Sequence, residues 1–323
     1  MIGACLSQGR AQTKSAVSYK NPVVDIAMPD PTVIKAADGY FYVYATESTR
    51  NVPIMKSKDL VEWTYCNTAF TNKTRPRFEP KAGIWAPDIN YINGKYVLYY
   101  AMSVWGGEQT CGIGVATANS PQGPFTDHGK MFRSNEIGVQ NSIDPSLLQY
   151  EGRNYLVWGS FRGIYVIELT ADGLSIMPGA KKKRIAGTAF EAVYIHKHGD
   201  YYFMFASIGS CCQGVKSTYK VVVGRSKKVW GPYKDKTGKP MLKNGYSLVI
   251  GANDHFVGNG HGSQIIQDDA GQDWLLYHGF SRSTPENGRI LLLDQIKWDQ
   301  EGWPYVEGGS PSYETQKAPV FNN

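Results

Sequence analysis

The chain has 323 residues, 42% hydrophobic and 13% aromatic, with 35 Gly, 17 Pro and a formal net charge of +6. That is ample for a large core, and the Gly and Pro content favours many short strands joined by turns. No apolar run approaches the roughly 20 residues that span a bilayer. The basic residues are dispersed apart from "KKKR" at 181–184, read as a solvated loop with no aromatics beside it, so no nucleic-acid surface is expected either.

The stretch to about residue 20 is polar and is set apart from the fold. Within it, "IGAC" at 2–5 resembles the lipid-modification box of bacterial lipoproteins, with Cys5 as acceptor, and "GRAQ" at 9–12 could end a secretory signal. Either would be the remnant of a longer leader, the alternative being a disordered tail. The expected location is outside the cytoplasm: secreted, periplasmic or lipid-anchored at the surface.

From residue 21 one grammar repeats: a polar leading residue, an alternating strand, a turn with Gly, Asp or Asn, and a second alternating strand. It reads "DPTVIKAADGYFYVYAT" from Asp30, "APDINYINGKYVLYYAMS" from Ala86 and "DPSLLQYEGRNYLVWGS" from Asp144. It recurs as "FEAVYIHKHGDYYFMFAS" from Phe190 and "HGSQIIQDDAGQDWLLYHG" from His261. The following halves repeat too: "GIGVATANSPQGPFTDHG" at 112–129 is matched by "VVVGRSKKVWGPYKDKTG" at 221–238, and more loosely by "VPIMKSKDLVEWTYC" at 52–66 with Trp63 in the aromatic slot. Four short strands in roughly 50–60 residues is the pattern of a propeller blade, and five units predict an all-β, five-bladed β-propeller spanning 21–323 as a single domain. The cysteines Cys5, Cys66, Cys111, Cys211 and Cys212 form no CxxC pair. Adjacent Cys211 and Cys212 are poorly placed to bridge each other, and are expected as packed or site-lining thiols.

In a propeller the first strand of each blade lines the central channel, so the leaders Asp30, Asp88, Asp144, Glu191 and His261 are expected to form a ring, with His261 on the axis beneath the acids. A lone Asp-Pro is ordinarily a turn initiator. Four acids and a histidine at one repeated position point to a site instead. Two carboxylates in an aromatic-rich cleft suit glycoside hydrolysis, one protonating the departing oxygen and the other activating water, with a third raising the pKa of the acid. Trp85 and Trp105 would stack on sugar faces.

These residues carry a likeness: the chain resembles glycoside hydrolase family 43, and within it the endo-1,5-α-L-arabinanases, from about Asn21 to about Trp303. The generic motifs are the Asp-Pro at Asp30, "GIWAPDI" at 83–89, "NSIDPSL" at 141–147 and "FEAVYI" at 190–195. The specific ones are "CCQGVKSTYKVVVGRS" at 211–226 and "GNGHGSQIIQDDAGQDWLLYHG" at 258–279. The resemblance implies an inverting hydrolase of α-1,5-linked arabinan, with Asp30 as general base, Glu191 as general acid and Asp144 raising and orienting Glu191. It implies a calcium ion in the channel, bound by His261 largely through water. It implies sugar contacts from Asn141, Ser142, Ile143, Ser160 and Phe161, and a close sugar approach at Gly112. "SFRGI" at 160–164 is shorter than the "SFWSGI"-like stretch of many arabinanases, and Asn259 stands where the family often has Pro. The expected partner is therefore arabinan or its oligosaccharides, cut internally by a monomer. The alternatives are an exo-acting arabinofuranosidase or β-xylosidase on the same fold, or a non-catalytic carbohydrate-binding propeller, which would not need the acid trio.

Overall fold

The structure, a computed structural model, describes residues 17–322. Each alternating segment becomes the inner hairpin of a four-stranded antiparallel sheet. The first blade is Thr32–Lys35, Phe41–Tyr44, Pro53–Ser57 and Trp63–Thr68; the second is Gly83–Ile92, Lys95–Ser103, Gly112–Ala118 and Thr126–Arg133. The third is Ser146–Tyr150, Arg153–Trp158, Ile164–Glu168 and Lys183–Ala186; the fourth is Glu191–His198, Tyr201–Ile208, Lys220–Ser226 and Ser247–Ile250. Two-residue turns with both residues left-handed, Asn93-Gly94 and Glu151-Gly152, close the inner hairpins of the second and third blades, as the twist of a tight hairpin requires. The "KKKR" run is split: Lys183 and Arg184 open an outermost strand with exposed side chains.

Second strands such as Phe41–Tyr44 are buried on both faces, so each sheet must be covered on two sides. Sheets stacked around an axis satisfy this, and five apolar clusters fill the five seams. Tyr99, Phe132 and Trp158 pack between the second and third blades, and Phe41, Val43, Leu291 and Leu293 between the fifth and the first. Each fully buried Val, Leu or Phe contributes about 1.5–3 kcal/mol, so the seams hold the ring together.

The fifth blade is built from both ends of the chain. Phe256–Gly260, Asp273–Ser281 and Ile290–Trp298 are followed outward by Val24–Ala27. Ser18–Tyr19 pairs with Gln316–Lys317. The fold thus begins before residue 21: Tyr19 is buried against Trp274, and its hydroxyl donates to the Leu293 carbonyl at 2.9 Å. A pairing across nearly the whole chain leaves no local pattern, which is why this stretch reads as tail. "IGAC", "GRAQ" and Cys5 lie outside the described residues.

The leaders do not share one register. Asp30, Ala86, Asp144, Ala192 and His261 all have a left-handed backbone (φ 54°, 42°, 56°, 53° and 49°), and these are the equivalent positions. The inner strands of the second and fourth blades each carry one extra residue there, between Trp85 and Asp88 and between Glu191 and Tyr194. Such bulges re-aim side chains. Counted from the left-handed positions, Asp88 stands two residues further along its strand, deeper in the channel, and Glu191 one residue before, nearer the mouth.

Candidate active site

Asp30, Asp144, Glu191 and His261 meet at the floor of a cleft of about 770 Å³ on one face of the propeller. The acids are nearly buried, each 7–8% exposed. His261 is among them rather than beneath, with Nδ1 3.2 Å from Asp30 Oδ1. The left-handed turn at His261 brings the ring up to the channel mouth, where it lines both the channel and the cleft.

Asp30 is held from four sides. Arg289 Nη1 donates to Oδ1 at 2.8 Å, Thr46 Oγ1 donates to Oδ2 at 2.6 Å, and the Asp30 N–H donates to His278 Nδ1 at 3.0 Å. Burial alone would raise its pKa, but Arg289 and His261 hold the carboxyl well below the usual range. His278 is fully buried, and desolvation pushes it down to about 4, so it is a neutral acceptor. Glu191 moves the other way: burial raises it and the charge of Asp30 adds to this, against hydrogen bonds from Ser160 and Tyr219. Two acids driven apart in one cleft are the signature of a base and an acid.

Asp144 is also raised by burial, and Glu191 and Asp30 add to the shift while His261 opposes it. It accepts the Ala192 N–H at 3.1 Å, which ties it to the residue following Glu191. Ser160 Oγ donates to Glu191 Oε2 at 2.6 Å, and Asn141 Nδ2 donates to Ser160 Oγ at 2.9 Å. Asn141 and Ser160 thus line the cleft and also brace the acid. Asp88 is a cross-link at the axis: it accepts from Gln264 at 2.8 Å, Asn90 at 2.7 Å and the Leu147 N–H at 2.7 Å, and burial pushes it up to about 7.

Trp85, Trp105, Ile143 and Phe161 line the walls, and Trp105 is 78% exposed with its ring 5.5 Å from that of Trp85. Two expected contacts are not in the cleft. Ser142 is fully buried, donating to the Val139 carbonyl and accepting from the Trp158 indole. Gly112 faces its own sheet: a Cβ there would meet the Phe132 carbonyl at 2.3 Å, so strand packing demands the glycine. Cys211 and Cys212 do line the cleft, but as a disulfide rather than as thiols; the chain bends sharply through 211–213 and brings the two sulfurs together. Arg289, Thr46, Tyr219 and His278 are site residues that no leader motif marks. Tyr219 lies inside the "CCQGVKSTYKVVVGRS" segment, His278 inside "GNGHGSQIIQDDAGQDWLLYHG" and Thr46 at the end of the first repeat, which were usable signals; Arg289 lies in none of these segments.

The family model for "Glycosyl hydrolases family 43" matches residues 19–304. The chain is similar to the extracellular endo-α-(1→5)-L-arabinanase 1 of Bacillus subtilis, 36% identical over 85% of this chain and 86% of the relative. It is equally similar to an extracellular exo-α-(1→5)-L-arabinofuranosidase of Cellvibrio japonicus, 36% identical over 86% of each chain. In structure it is similar to a Cellvibrio cellulosa α-L-arabinanase complexed with arabinohexaose, with a TM-score of 0.80 and 33% identity, covering 89% of this chain and 98% of the other. The match takes in all five blades and the whole acid cluster, and the chain belongs to family 43 of the glycosyl hydrolases.

Proposed function

We propose that the protein hydrolyses α-1,5-linked L-arabinofuranosyl bonds within arabinan, with inversion at the anomeric carbon. The observation that carries this is the opposed setting of Asp30 and Glu191 in one cleft. Protonated Glu191 gives its proton to the glycosidic oxygen as the C–O bond breaks. A water attacks the anomeric carbon from the other face and passes its proton to ionised Asp30. Asp144, tied to Ala192, holds the backbone beside Glu191, and burial together with the charges of Glu191 and Asp30 holds its own carboxyl toward the protonated form.

An internal cut needs sugar-binding walls on both sides of the acids. The lining runs from Trp85 and Trp105 on one side to Gly209, Cys211 and Gln213 on the other, which supports endo action. The named relatives that act on arabinan are extracellular, which supports a place outside the cytoplasm. Among the described residues no helix is long and apolar enough to cross a membrane.

A calcium ion in the central channel belongs to the same proposal. The donors there fit a hard cation held mainly through water: His261 spends Nδ1 on Asp30 and keeps Nε2 for a cation or its water, while the oxygens of Asp88 are already taken by protein donors. Bound there, calcium would supply positive charge next to the carboxylates.

Linear arabinan digested with the protein should give a spread of oligosaccharides at early times, with the first-formed anomer inverted by proton NMR. A single short product from the start would make the enzyme exo-acting, and no cleavage of arabinan alongside cleavage of xylan oligomers would overturn the substrate.

A further inference from the structure

We infer that the face opposite the cleft carries a transition-metal site made by His196, His198 and Asp273. His196 and His198 are two apart on the inner strand of the fourth blade, so both side chains leave the same face of the sheet. That strand begins at Glu191 in the cleft, and its far end is about 20 Å away at the rise of an extended chain. Asp273 opens the second strand of the fifth blade. One ligand atom from each residue lies within 4.8 Å of the others. The three therefore bridge the seam between the fourth and fifth blades.

The surroundings are built for this. Asp273 is 4% exposed, and its ion-pair partner among the described residues is His198, whose Nδ1 stands 3.7 Å from Oδ2, too far for a hydrogen bond. A buried carboxylate without a Lys or Arg beside it is costly unless another cation compensates. Trp298 braces the cluster: its indole N–H donates to Asp273 Oδ2 at 2.8 Å, and its ring lies parallel to that of His198 at 3.7 Å and to that of His196 at 6.2 Å. Gln267 Nε2 holds the other oxygen at 3.2 Å. These are the supporting contacts that orient metal ligands.

Two imidazoles and a carboxylate select zinc or a similar transition metal over calcium, which prefers oxygen. The three protein ligands leave the fourth position to water. Because the ligands come from two blades, the bound ion would clip the seam shut. It acts on stability, and it stands or falls independently of the arabinan reading.

The test is zinc titration of metal-free protein, read by equilibrium dialysis and by thermal unfolding. Wild type should bind one equivalent more than His198→Gln and His196→Gln, and its melting temperature should rise by about 5 °C at a hundredfold excess over the dissociation constant. The variants should melt at the wild-type temperature in chelator, and His198 is half-exposed, so its variant is the one expected to fold without difficulty. Calcium at the same concentration should produce no such difference between wild type and variants. The proposal is overturned if wild type and both variants bind the same number of zinc ions, or if zinc shifts all three melting temperatures alike, since the metal would then sit elsewhere, for example among the cleft acids. Cobalt(II) gives a check on wild type alone: intense visible absorption from a low-coordinate site supports the assignment, and a spectrum of six-coordinate hydrated cobalt refutes it.

Discussion

Asp30 and Glu191 are equally buried in one cleft, and the groups around them drive their carboxyls in opposite directions. The difference lies in named neighbours, so it can be taken apart. Arg289→Met removes the guanidinium at 2.8 Å from Asp30. The pKa of Asp30 should rise, so the acid limb of the kcat/KM profile moves toward neutral pH while the alkaline limb stays. An unmoved acid limb would show that His261 suffices. The proposed roles separate by leaving group. Glu191→Ala should lose most activity on arabinan and far less on an aryl glycoside, whose leaving group needs no proton. Asp30→Ala should be poor on both; equal losses in the two variants would refute the assignment. The leaders of these roles were legible because their strands repeat. Arg289 was not: it precedes the third strand of the last blade, and only the closure of the ring carries it to Asp30.

At the scale of elements, periodicity revealed the inner strands and their turns, since alternation and Asn-Gly-type pairs are local signals. It did not reveal the bulges. One extra residue in the second and fourth blades costs a short sequence pattern nothing, so the pattern could not show that Asp88 and Glu191 stand off the position shared by Asp30, Asp144 and His261. Closure was equally invisible, because Val24–Ala27 joins a blade whose other strands lie more than two hundred residues later. Beside Tyr19, the Asn21 side chain fastens this joint. Asn21 Oδ1 accepts the Leu293 N–H at 2.9 Å and Nδ2 donates to the Leu293 carbonyl at 2.9 Å, imitating a strand partner in a buried place. Asn21→Ala leaves that N–H without a partner and should cost about 2 kcal/mol in urea unfolding, with kcat unchanged. A loss below about 0.5 kcal/mol, the level of an ordinary surface change, would mean that the joint does not depend on Asn21.

On the scale of the whole molecule, the ring concentrates charge. Asp30, Asp88, Asp144 and Glu191 converge on the axis, faced by Arg289 and His261. Burial raises three of these acids, Asp88 to about 7. A cation held there through water would offset like-charge repulsion at the centre, where all five blades meet, so its removal should be felt by catalysis and by the fold together. The experiment belongs in a His196→Gln, His198→Gln background, so that no metal at the distant seam contributes. Exhaustive chelation should lower activity in part and lower the melting temperature; calcium should restore both, and elemental analysis should find about one calcium per chain. His261→Ala should lower activity and blunt the response to calcium while the protein stays folded, because the ring packs at the channel mouth rather than inside a seam. Full activity after chelation, with no calcium detected, would leave His261 as a partner of Asp30 alone, its imidazole raised in pKa by the acids around it and itself the positive charge of the channel.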